Sequence, residues 1–386
     1  MADLDRRTLL RGLGGAIVLG GSAAVLPVFG TPDRKQNPAT CKAEDVSAAE
    51  KSLVFSNWPE YIDEDDGDYV STLHEFEDKT GIKVSYTADI NDNNEFFAKV
   101  ANQLGSCSSS KRDLFALTDW MAARMIQVGW IQKLDKSRVP NLHANIIDSL
   151  AAPAWDKGRD YSAPWQSGLT GIAYNKKKVK EVKSFSELLT RPDLKGRISM
   201  LTEMRDTMAF LLLVDGADPG DFKQAQWETA IDRLRKSRRD GQVRSFTGNE
   251  YVQDLSSGNI LACEAWSGDI ANAGDENLVW IPPEEGIIIW ADNMMVPNLA
   301  THQENAEKLI NYYYEPEIGA KLAAYNSYIC PVKGAQEAME KVDPDQVENE
   351  LIFPTEKTLS RTHRFMALDE ATMRTYEGDF ADVTGA

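Results

Sequence analysis

The chain has 386 residues, of which 42% are apolar and 26% charged, and a formal net charge of −18. Those fractions are ordinary for a soluble globular protein, and the length suits two lobes better than one small core. So acidic a surface repels phosphate backbones and anionic lipid, which argues against nucleic acid as a partner, and it concentrates cations.

Asp5-Arg6-Arg7-Thr8-Leu9-Leu10-Arg11 precedes a weakly apolar, Gly/Ala-rich stretch that ends near Gly30. Paired arginines, leucines after a one-residue gap and such a segment read as a twin-arginine export signal over residues 1–30. The mature chain is therefore expected in the periplasm or at the outer face of the cytoplasmic membrane. Glycines and Pro27 interrupt the stretch, so no stable membrane insertion of the mature domain is expected. Polar residues separate it from Cys41, which argues against a lipid attachment there. Residues 31–50 are polar and read as a linker.

From Ser52 onward, short apolar runs alternate with helical patterns, the signature of α/β units. Leu53 to Phe55 reads as a strand, and Val70, Leu73 and Phe76 stripe a helix that stops at Gly81. Ile82, Val84 and Tyr86 alternate as a strand. Phe96, Phe97, Val100 and Leu104 form a helical face before the apolar run Leu114 to Leu117. A helix from Met121 ends at Gly129. A second series begins near Tyr161, with strands expected at Gly171–Tyr174, Ile198–Leu201, Ile260–Ala265 and Gly286–Ile289. Between them, Ser186–Leu189 suggests a short helix and Trp227, Ile231 and Leu234 an amphipathic one. Ala306, Leu309, Ile310 and Tyr313 stripe a late helix. The four cysteines form no CxxC. Cys263 and Cys330 are the preferred pair if a disulfide exists, and buried free thiols are the alternative.

The informative residues stand just past the ends of the strands. Trp58 comes after the first, Trp120 after Leu117, and Glu203 with Asp206 after Leu201. Trp266 comes after Ala265, and Trp290 with Asp292 after Ile289. In open α/β sheets the carboxyl ends of strands converge on one crevice, where ligands bind. Indole faces cover methylenes and attract cations, at roughly 0.5–2 kcal/mol per contact. Ionised carboxylates match ammonium donors, at roughly 1.5–3 kcal/mol per charge-assisted bond. A polyamine, a methylene chain bearing ammonium groups, suits that inventory.

The residues also resemble the periplasmic spermidine/putrescine-binding proteins of polyamine ABC importers, from about Ser52 to the C-terminus. The landmarks are Phe55-Ser56-Asn57-Trp58-Pro59-Glu60-Tyr61, Thr80-Gly81-Ile82-Lys83-Val84 and Gly129-Trp130-Ile131-Gln132-Lys133-Leu134-Asp135. Tyr161-Ser162-Ala163-Pro164, Leu201-Thr202-Glu203-Met204-Arg205-Asp206, Trp290-Ala291-Asp292 and Tyr328 before Pro331 complete them. The resemblance implies an α/β, two-lobed periplasmic binding-protein fold (type II) with a hinge between the lobes. One lobe would comprise 51–162 with 291–337 returning to it, the other 163–290 with 338–386 packing back across it. It further implies a monomer that captures a polyamine and delivers it to an ABC importer permease. By the same resemblance, Trp58 and Tyr61 form a first aromatic wall, Trp120 takes the place of a site tyrosine, and Thr118 that of a serine. Trp266 and Trp290 flank the methylenes, and Asp292 holds an inner or secondary amine. Glu203 and Asp206 bind a terminal ammonium, and Tyr328 is a site tyrosine. Arg364 and Phe365 fall where the family has an amide contact, and an arginine there repels a second amine unless it is paired.

Catalytic signals are weak. No histidine has metal or triad spacing, and Gln166-Ser167-Gly168 lacks the glycine a nucleophile elbow needs. Asp63 to Asp68 fails the spacing of a calcium loop and reads as a helix entrance. No cofactor, metal or enzyme activity is expected. The alternatives are a binding protein for another small solute, an amino-acid derivative or sugar, and more distantly a secreted hydrolase acting through paired carboxylates.

Overall fold

The computed structural model describes residues 37–385. The export-signal reading of residues 1–30 and the first part of the expected linker lie outside the described residues.

Among the described residues ten strands form one sheet: β1 (Ser52–Asn57), β2 (Lys83–Ala88), β3 (Leu114–Thr118), β4 (Ala163–Asn175), β5 (Ile198–Leu201), β6 (Val243–Thr247), β7 (Ala262–Trp266), β8 (Leu278–Ile281), β9 (Ile287–Met295) and β10 (Thr362–His363). Their order is β2-β1-β3-β9-β4-β7-β5-β6, with β10 beside β9 and β8 beside β4. β1 pairs in parallel with β2 and β3, and β5 in parallel with β6 and β7. Parallel neighbours need crossover connections, which is why helices such as Thr72–Thr80, Asn93–Gly105 and Met204–Val214 alternate with these strands. Between the two parallel halves run β9 and β4, antiparallel to each other and to β3 and β7 beside them, while the short β10 pairs in parallel with β9. The chain thus passes from one half to the other along two extended strands, and the larger apolar cluster extends across them into the second half.

One apolar cluster gathers Phe55, Phe96, Phe115, Trp165 and Tyr314, and it continues through Trp58 and Trp266 at the middle of the molecule. The other gathers Phe185, Phe210, Trp227 and Leu234. The C-terminal helix Glu370–Thr384 closes this second cluster by stacking Tyr376 on Trp227, centroids 3.8 Å apart. Met339 and Ile352 still belong to the first cluster. The helix Ala335–Val342 buries Ala335 and Met339 against the helix Pro316–Asn326.

Several elements differ from the sequence reading for identifiable reasons. β4 runs from Ala163 and not from Gly171, since Pro164 and four polar or glycine positions hide a strand that is buried along its whole length. A register shift between Pro164 and Ser167 accommodates the proline, which cannot donate to the ladder. β9 continues to Met295, so Trp290 and Asp292 lie inside a strand and not after one. The stretch 41–50 is not a free linker. Asp45 and Ser47 accept hydrogen bonds from the backbone of Glu304 and Asn305, at the start of the helix Gln303–Tyr313. Asp63 is buried and accepts from Tyr69 and Thr72, tying the acidic loop to the helix behind it.

The preferred cysteine pair is also corrected. Cys41 is bonded to Cys107, with Cα atoms 5.6 Å apart, while Cys263 and Cys330 are buried free thiols. Cys263 sits in β7 opposite Ala173, and the Cys330 thiol points at the Gly319 carbonyl. Peptide mapping without reduction should recover a Cys41–Cys107 cross-link and leave the other two thiols unalkylated until denaturant is added. Cys41→Ser should lower stability by about 2–4 kcal/mol, as expected for a disulfide closing a long loop. Among the described residues no helix is long and apolar enough to cross a membrane, and no group of three metal-binding side chains converges.

Candidate functional site

Pairing register, more than proximity in sequence, assembles the residues at the junction of the two halves. Thr118 ends β3 opposite Asp292 of β9. Further along β9, Trp290 lies opposite Gly168 of β4, and two residues on, Thr170 lies opposite Trp266 of β7. Gly168 is required here by close approach, because a Cβ would collide with the Trp290 indole. Gly268 makes the same allowance for the Tyr328 ring. Two non-glycine residues adopt left-handed backbone beside site tyrosines, Glu60 at φ 53° before Tyr61 and Ser327 at φ 54° before Tyr328. Such conformations cost about 1–3 kcal/mol and persist where the surroundings impose them.

These elements line one narrow slot with a cavity volume of about 30 Å³. Nine of the ten residues singled out from the sequence line it: Trp58, Tyr61, Thr118, Glu203, Asp206, Trp266, Trp290, Asp292 and Tyr328. Trp120 does not, because its ring is covered by the Arg205 guanidinium, 3.4 Å from the ring centroid. Pro59, Asn249 and Asp269 complete the lining. Asp269 lies three residues after Trp266 in a short helix, and an acid at that distance past a strand end is the only sequence signal that points to it.

Five aromatic rings succeed one another around the slot. Trp58 meets Trp266 edge-on at 6.0 Å, and Trp266 meets Trp290 at 6.3 Å. Trp290 meets Tyr328 at 5.6 Å, and Tyr328 meets Tyr61 at 5.1 Å. Three of these contacts are edge-to-face and the Trp290–Tyr328 contact is tilted, and together they fix the rings against one another. The Trp58 and Trp290 indole N–H groups donate to the Ala116 carbonyl and the Thr170 hydroxyl, which holds both rings in place.

Four carboxylates share the slot, and every hydrogen bond they receive comes from a neutral donor. Asp292 Oδ2 accepts from the Tyr61 hydroxyl at 2.9 Å, and its Oδ1 is buried without a partner. Asp206 accepts from the Thr170 hydroxyl at 2.5 Å. Glu203 accepts from the Asn93 backbone and amide, both at 2.8 Å. Asp269 accepts from Tyr328, Tyr251 and Asn249 at 2.6–2.7 Å. Burial pushes Asp206 and Asp292 up to about 7, opposed by the hydroxyls of Thr170 for the first and of Thr118 and Tyr61 for the second. Burial also raises Glu203, reinforced by Asp92 and Asp206, and raises Asp269 against its three donors. Taking several like charges out of water is unfavourable, and the one cation that acts on them, Arg205 beside Glu203 and Asp206, makes no hydrogen bond to any of the four. The slot thus combines four buried acids with five aromatic rings, a chemistry suited to a cation with an apolar portion.

A family model for bacterial extracellular solute-binding proteins matches residues 71–355. The spermidine/putrescine-binding periplasmic protein 1 of Haemophilus influenzae is 29% identical over 353 residues, covering 90% of this chain and 92% of that protein. A putrescine-binding periplasmic protein of Escherichia coli is also 29% identical, covering 80% and 85%. The solved structure of a spermidine/putrescine ABC transporter substrate-binding protein from Streptococcus pneumoniae superposes with a TM-score of 0.69 at 23% identity, covering 86% of this chain and 98% of that one, and shares the two-lobed α/β fold.

Proposed function

This chain belongs to the bacterial extracellular solute-binding proteins, and we propose that within that family it is the polyamine receptor of an ABC importer. One observation carries the proposal. Four buried carboxylates, met only by neutral donors, face one slot walled by five aromatic rings. A putrescine or spermidine ligand supplies the missing positive charge at the acids and lays its methylenes against the indoles. Two charge-assisted bonds and two or three ring contacts would exceed the roughly 8 kcal/mol of a micromolar complex before binding costs. The names of the relatives in Haemophilus influenzae and Escherichia coli support the same ligand class.

The proposed mechanism is hinge closure about β4 and β9. The first half comprises 51–162 with 291–337, the second 163–290 with the C-terminal helix. The ligand bridges residues of both halves, the closed form becomes dominant, and a permease recognises that form. Export by the segment 1–30, life as a monomer outside the cytoplasm, and the absence of catalysis belong to the same proposal.

Calorimetry with putrescine, spermidine and a panel of sugars and amino-acid derivatives is the direct test. Binding of a sugar and of neither amine would overturn it. Because Trp58, Trp266 and Trp290 all line the slot, intrinsic fluorescence should change when the amine binds. Trp266→Ala should weaken binding by about 0.5–2 kcal/mol, less than loss of a buried acid, since stacking and cation–π attraction are the weaker contributions.

A further inference from the structure

Arg205 stands between the slot residues Glu203 and Asp206 in the chain and does not itself line the slot. The Arg205 guanidinium is sandwiched between two rings, 3.4 Å from the Trp120 centroid and 5.9 Å from that of Phe365. Arg205 follows β5 in the second half, while Trp120 follows β3 in the first, so the stack spans the junction. Arg205 is only 7% exposed, and its Nε and Nη1 have no hydrogen-bond partner. Its charge is offset by nearby Glu203, Asp119 and Glu377. The other basic groups of this region are engaged: Arg364 pairs with Asp119 at 3.3 Å, and Arg124 lies over Phe97 and 3.7 Å from Glu377. The Trp120 face therefore already holds a cation, and that cation belongs to the protein.

A buried guanidinium with two orphan donors is unfavourable for stability alone. Its position gives it a use. Any ligand that follows the aromatic wall past Asp206 and Glu203 meets a fixed positive charge and finds the next indole face occupied. We infer that Arg205 limits ligand length, so that the slot accepts a short diamine and disfavours an amine long enough to bring a third ammonium to this end. The inference rests on the polyamine reading of the site. Like charges brought together in a desolvated slot repel strongly, and specificity of this kind comes from the repulsive element as much as from the attractive one.

The test is calorimetry at pH 8 with putrescine and spermidine, on the unaltered chain and on Arg205→Met and Arg205→Gln, two variants that remove the charge and keep much of the volume. The unaltered chain should bind putrescine at least about tenfold tighter than spermidine, and either variant should reduce or reverse that ratio by about tenfold, chiefly through tighter spermidine binding. Equal or tighter binding of spermidine by the unaltered chain overturns the inference, whether or not a variant folds. A ratio left unchanged in a folded variant also overturns it, while the polyamine reading stands. Binding of neither amine removes that reading and this inference together.

Discussion

Replacing Asp292 with alanine is expected to weaken polyamine binding by roughly 2–5 kcal/mol, the range for truncating one partner of a buried, hydrogen-bonded charge pair. Asp292 lies in the middle of β9, opposite Thr118, with one oxygen held by Tyr61 and the other buried without a partner. That free oxygen is the natural acceptor for an ammonium. Without it the ligand's charge is buried unpaired, and the aromatic rings alone do not restore the loss. The stability of the unliganded chain should move the opposite way. Asp292→Asn retains an acceptor for the Tyr61 hydroxyl and removes a charge that burial disfavours, so its melting temperature should rise. Calorimetry and thermal melts on the two variants separate a binding role from a structural one. A structural role predicts lower melting temperatures for both, and unchanged affinity in the alanine variant would sink the site assignment at its centre.

The second large effect is on pH. Asp206 and Asp292 are pushed up to about 7 by burial. A diamine, cationic throughout this range, needs both carboxylates ionised. At pH 5 each group lies about two units below its midpoint, and displacing its proton costs about 2.7 kcal/mol, or some hundredfold in affinity. Binding should therefore strengthen by up to about four decades between pH 5 and 8 if both acids meet the ligand, and by about two if only one does. For the free chain the sign reverses. A carboxyl whose folded pKa lies above its unfolded value of about 3.9 contributes stability that is fully present below that value and is lost as pH rises through 7. Carboxylates shifted downward, such as Asp89 beside Lys99 and Arg112, act in the acid range and no longer change above about pH 5. The melting temperature of the unliganded chain should thus fall from pH 5 to 8 while the rise caused by ligand grows. A flat affinity profile across that window would show that neither acid is desolvated as the geometry requires.

Both expectations depend on a charge arrangement only partly visible along the chain. Apolar runs such as Leu114–Leu117 and Ile198–Leu201 are legible because both faces of these strands are covered, leaving no polar alternation to confuse them. Trp58, Trp266, Glu203 and Asp206 are legible for the related reason that they stand where such runs stop. The same logic misplaces the ends of β4 and β9. These strands cross between the halves beside the slot, so their middles carry Gln166, Ser167, Gly168, Asp292 and Asn293, which look like loop residues. Function interrupts the hydrophobic pattern there, and periodicity cannot see through the interruption. Asp269 escapes the sequence reading because nothing local distinguishes it from a helix-start acid. Only the fold brings Tyr251, Asn249 and Tyr328 to its oxygens.

Read alone, the sequence was enough for the α/β class and the kind of side chain at the strand ends, from which the proposal of a cationic ligand with an apolar middle follows. These follow from local composition, since a burial pattern and a residue's chemistry are properties of a short stretch. Tertiary structure alone decided that Cys41 pairs with Cys107, that Trp120 faces Arg205 and not the slot, and that four acids share one enclosed space. Each of those outcomes depends on distance and desolvation between groups tens to hundreds of residues apart, which is a property of the folded chain and of no segment within it.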